Sequence, residues 1–130
     1  MRPAKSRKVP RASSPKPRPR LDRGATWPRL VVAHDAFFAV AQHANAAGRQ
    51  NLTEVADACC VTLDLAVRHL GRRPCPLRSS NLYRLAPGSI HAVLSMHLAD
   101  VRAAVARLVP VRAAGFESGA EVLITAAWED

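Results

Sequence analysis

Apolar residues recur at helical spacing along most of this chain. Between Leu30 and Ala47, the positions Val32, Ala36, Phe37, Val40, Ala41 and Ala44 follow the period of one helix face. Gly48 then stands where a helix commonly closes in a left-handed residue. The next segment, Asn51 to Leu70, reads NLTEVADACCVTLDLAVRHL and predicts two short helices joined by a tight turn. Asn51, with Glu54 three residues on, is a variant of the capping box, and this helix runs to about Cys59. Thr62 is the next N-cap candidate. A helix from Leu63 to about Arg72 follows, closed by Gly71 and Pro74. Leu77-Arg78, a polar Ser79-Ser80-Asn81 turn and Leu82-Tyr83-Arg84-Leu85 read as a short hairpin. Ala86-Pro87-Gly88 breaks it. Ser89 is then expected to cap a long helix, with Ile90, Val93, Leu94, His97, Val101, Val105 and Leu108 on one stripe and Pro110 at its end. Residues 121–128, EVLITAAW, read as a strand or a helical turn, and the β-branched Val122, Ile124 and Thr125 favour the strand.

The pair of short helices carries the functional expectation. Ala56 is small enough to let them approach, Val55 lies on the buried side, Cys60 occupies the turn and Val61 plugs the core from it. Ala66 and Leu70, four apart, face back onto the first helix. That leaves Leu63, Asp64, Val67 and Arg68 on the outward face, where base edges or phosphates would stand. With a helix before the pair and a hairpin and long helix after it, the order is ααα-ββ-α. The expected fold is therefore mainly α with a small β-hairpin: a winged helix-turn-helix over residues 25–110. Residues 1–24 would precede it as a disordered basic tail. Residues 111–130 would follow it as an extension.

Charge divides the chain in the same way. The net charge is +9, and residues 1–24 hold nine Lys or Arg against one Asp, a net +8. This segment has five Pro and only Val9 and Leu21 as large aliphatic residues, too little apolar surface to offset the entropy of ordering. It reads as a solubilising tail or as a sequence-independent phosphate binder. A second basic run, Arg68, Arg72, Arg73, Arg78 and Arg84, contains no acid. The whole chain is 48% hydrophobic but only 5% aromatic, so the core must be aliphatic. No run of 18 apolar residues exists, so no membrane span is expected, and no apolar stretch follows the basic start as in a secretory signal.

On these residues the chain resembles the winged helix-turn-helix transcriptional regulators, the small dimeric repressors of the ArsR kind above all. The matching positions are Ala56, Val61-Thr62 and Arg68-His69-Leu70, the last similar to the run ending that family's recognition helix. Leu82-Tyr83-Arg84-Leu85-Ala86-Pro87 is similar to its wing strand. The resemblance covers roughly residues 32–108. It implies a sequence-specific repressor of the bacterial cytoplasm that binds double-stranded DNA, associated with the nucleoid when bound. A homodimer would be held by the first and last long helices. A recognition helix over about residues 62–72 would put Thr62, Leu63, Asp64, Val67 and Arg68 in the major groove. The wing at residues 77–85, with Arg72, Arg73, Arg78 and Arg84, would hold phosphates. Cys60 replaces the usual turn glycine, and Leu63, Leu65 and Val67 stand where the family is polar. That apolar face supports an alternative, a winged-helix-shaped module that docks a protein.

Other chemistry is sparse. Cys59 and Cys60 are neighbours whose side chains diverge on a helix. Free thiols fit a reducing cytoplasm. His34 and His43 read as surface or packing residues. His97 with Asp100 lacks a completing ligand set, so no metal site and no cofactor are expected. Trp27 and Trp128 read as anchors of the chain ends. The motifs of phosphate loops, zinc proteases and serine hydrolases are absent, and no enzyme is expected.

Overall fold

The computed structural model describes residues 23–71, 84–126 and 128. Among them are four helices and no strand: α1 (Arg23–Ala46), α2 (Gln50–His69), α3 (Pro87–Leu108) and α4 (Pro110–Thr125). The winged helix-turn-helix is not formed. The expected turn at Cys60 lies inside the unbroken helix α2. Nothing between Asn51 and Leu70 breaks a helix, since the segment holds neither Gly nor Pro. Thr62, expected to cap, donates its hydroxyl to the Ala58 carbonyl one turn back at 3.2 Å, a bond that helical Thr makes without ending the helix. The hairpin expected at residues 77–85 falls mostly outside the described residues.

One stripe explains α2. Leu52, Ala56, Cys59, Leu63, Ala66 and Leu70 are all buried and alternate at steps of four and three. That spacing keeps one side of a helix against its neighbours through the supposed turn. Thr26, Leu30, Ala33, Phe37, Val40 and Ala44 do the same on α1. Ile90, Leu94, Leu98, Val101 and Val105 line α3, and Phe116, Ala120 and Leu123 line α4. Phe37 and Phe116 meet edge to face in the middle, with centroids 5.6 Å apart.

The orientation of each helix follows from its contacts. Gly48, at φ +72°, turns the chain back from α1 into α2, and His34 on α1 faces Asp64 on α2 at 3.6 Å. The His43 Nε2 lies 3.0 Å from the Leu85 carbonyl beside the start of α3, and Arg29 lies 3.7 Å from Asp100. So α3 also runs antiparallel to α1. Pro110 does not end a fold; it starts α4 at the position where its missing N–H costs nothing. Arg102 on α3 reaches Glu121 on α4 at 3.8 Å. Around the bundle the order is α1, α2, α4, α3, with every adjacent pair antiparallel. Residues 110–125 are thus an integral helix, not the strand that Val122 and Ile124 suggested.

Helix starts differ in detail. Asn51 is not a cap; Arg49 holds the N-cap position of α2 without a side-chain capping hydrogen bond, and Gln50 donates to Glu54 at 3.2 Å. Pro87, not Ser89, opens α3. The α1 helix begins before Trp27 and carries Pro28 within it.

Candidate nucleic-acid interface

Because α1 and α4 run one way and α2 and α3 the other, four particular helix ends meet at one pole. They are the start of α1, the end of α2, the end of α3 and the start of α4. Arg68 lies in the last turn of α2, Arg107 in the last turn of α3 and Arg112 in the first turn of α4, all exposed. Arg29, in the second turn of α1, adds a guanidinium bridged to Asp100. No Asp or Glu occupies the terminal turn of any of these four ends. Residues 1–22 lead into Arg23 at this end, and the second basic run leaves α2 here after Gly71 and returns to the bundle at the opposite end with Arg84. Gly71, at φ +76°, lets the chain turn out of α2.

The far half of the bundle is different. It carries Glu54, Asp57 and Glu121, and it is closed by an aromatic clasp. The Trp128 indole donates to the Leu123 carbonyl at 3.3 Å, and its ring meets His91 edge-on at 5.6 Å. The Arg49 guanidinium lies 5.0 Å over the same ring, within cation–π range. Trp128 does anchor its chain end to the core.

The expected DNA-reading residues are dispersed. Thr62, Leu63 and Val67 are buried, at 4%, 0% and 0% exposure, and cannot reach a base. Leu65 is half-buried, so the apolar docking face built from Leu63, Leu65 and Val67 is not a surface either. Asp64 is half-buried and turned to His34. Arg68 is exposed at the basic pole, whereas Arg84 is exposed at the opposite end, beside the Leu85 that His43 meets. Arg72, Arg73 and Arg78 lie outside the described residues. The helices α1 and α3, on which a homodimer was expected, turn their apolar stripes into the bundle. Arg107 and Arg112 carry no signal of their own in the sequence, because only the antiparallel packing brings them to the same end of the bundle as Arg68.

Along the bundle, α2 and α4 enclose a groove of about 510 Å³ lined by Val55, Ala58, Thr62, Val111, Phe116 and Val122, with Cys59 and two glycines at its floor. A Cβ on Gly119 would come within 3.1 Å of the Cys59 sulfur and 3.3 Å of Val55, so glycine there permits the close approach of α4 to α2. Burial pushes the Cys59 thiol up from its ordinary 9.0 to about 12. The thiolate fraction near pH 8 is then about a thousandfold below that of an unfolded cysteine. With Cys60 and Cys75 replaced by serine, Cys59 should resist alkylation in the native protein and react readily in urea. Rapid native labelling would contradict its burial. The sign of the linkage is that stability is intact below about pH 9 and falls as pH rises from 9 towards 12. Among the described residues, no three His, Cys, Asp or Glu gather to hold a metal ion, and no helix is long and apolar enough to cross a membrane.

Comparison with protein-family models, with curated proteins and with solved structures gave no match.

Proposed function

We propose that this protein binds double-stranded DNA without reading its sequence, using the basic pole of the bundle and the arm of residues 1–22. The observation that carries this reading is that Arg68, Arg107 and Arg112 are exposed at the one end of the bundle where the basic residues 1–22 lead into α1. Phosphate contacts need only positive charge and reach, which guanidinium groups on helix ends and the Lys/Arg-rich residues 1–22 supply. Base reading needs a protruding helix or strand with polar side chains aimed into a groove. The helix once expected to do this spends Leu63 and Val67 on the core. The binding mode is therefore electrostatic and tolerant of sequence. The same reading puts the chain in the cytoplasm, where the buried free thiols of Cys59 and Cys60 are stable.

Fluorescence anisotropy with two duplexes of unrelated sequence tests it. Both should bind at low salt with affinities within about threefold of each other. The Arg68→Glu, Arg107→Glu double variant should weaken both by on the order of tenfold or more, with its thermal melt checked for an intact fold. No binding at low salt, or a large preference for one duplex, would sink the proposal.

A further inference from the structure

The groove between α2 and α4 shares Arg112 with the basic pole, but its apolar lining points to a ligand other than DNA. Its volume, about 510 Å³, lies within the range of small-molecule sites. Val55, Ala58, Phe116 and Val122 make its walls apolar. Val111 is 92% exposed and Val122 44% exposed at its rim, apolar surface that would be covered by a bound aliphatic body. A single charged side chain lines it, the Arg112 guanidinium. Arg112 lies in the first turn of α4, where the helix dipole adds to the positive potential. Val111 and Val122 stand about 16 Å apart along the helix axis, so the groove is an elongated apolar slot with one cationic end.

We propose that this groove binds a single-chain aliphatic carboxylate. The chain would lie along Phe116, Ala58 and Val55 towards Val122. The carboxylate would pair with Arg112, which offers a fork of donors to two oxygens. The proposal goes beyond the reading of the basic pole, with which it shares Arg112, and its test does not require DNA binding.

The two floor glycines separate ligand binding from folding. A Cβ at Gly119 would crowd Cys59 and Val55, at 3.1 and 3.3 Å, but at Gly115 it meets nothing within 4 Å. Gly115 lines the slot and has open space for a Cβ, so Gly115→Leu is expected to obstruct it, and it replaces a poor helix former by a good one. The test is calorimetric titration of the full chain with monomeric dodecanoate and, separately, dodecanol. The intact protein should bind one dodecanoate saturably. Gly115→Leu should lose at least tenfold in affinity while keeping or raising its Tm. Arg112→Gln should lose about tenfold for dodecanoate and little for dodecanol. Absence of saturable binding by the intact chain overturns the proposal. So does undiminished binding by Gly115→Leu, which would put the ligand outside the groove. Equal loss of the acid and the alcohol in Arg112→Gln would overturn the assignment of the carboxylate to that residue. Saturable binding of an amphipathic helical peptide, with dodecanoate unable to displace it, would assign the groove to a protein partner instead.

Discussion

Leu63→Ala should destabilise this protein by about 2–5 kcal/mol, the range for removing a leucine side chain from a packed core. Leu63 is fully buried on the stripe that α2 presents to its neighbours. Its loss removes transfer energy and leaves a cavity that the neighbouring helices close only in part. For a chain of this size, a loss of 3 kcal/mol lowers Tm by roughly 10 °C. Val67→Ala should act in the same direction with smaller size, because fewer atoms are removed. Arg68→Ala, one residue further on but exposed, should stay within about 0.5 kcal/mol. Urea denaturation of the three variants measures all of this. The contrast between neighbours is the informative quantity. If α2 were instead a groove-entering rod, Leu63→Ala would be nearly silent. A change of less than 0.5 kcal/mol at Leu63 would refute the bundle.

Much of this was readable from the residues. The helical periodicities of α1 and α3 were plain, as were Gly48 and Gly71 at the helix ends. At Cys60 the β-branched pair Val61-Thr62 mimics a turn followed by a cap. The decisive sign was already present: Leu52, Ala56, Cys59, Leu63, Ala66 and Leu70 keep step across that point, and a real turn would shift the phase. The α4 helix was harder. Gly115, Gly119 and the β-branched Val122, Ile124 and Thr125 all weaken local helix preference. Burial of Phe116, Ala120 and Leu123 against α2 and α3 overrides it. Even so, the spacing of those three residues was helical. What no linear pattern could supply is the basic pole. Arg68, Arg107 and Arg112 are separated by long stretches of chain. Their proximity depends on α2 and α3 running the same way while α4 returns.

The DNA affinity of the full chain should fall about 10³- to 10⁵-fold between 50 and 200 mM salt, the loss expected when six to ten phosphates are contacted. Eight Lys or Arg precede Arg23 on the arm, and the exposed arginines of the pole supply further contacts. Each neutralised phosphate contributes about 0.9 to the slope of log affinity against log salt. A chain lacking residues 1–22 keeps the folded pole and loses the arm. It should bind more weakly at low salt, with the slope reduced to roughly −3, the value for the few arginines the bundle itself offers. The difference in slope counts the phosphates the arm holds, whatever the absolute affinity. An arm that only aids solubility would leave slope and affinity unchanged on removal. A truncated chain with no measurable binding would instead assign the whole interaction to the arm and none to Arg68, Arg107 and Arg112. A reduced but nonzero slope is the outcome that requires both parts to act on the same duplex.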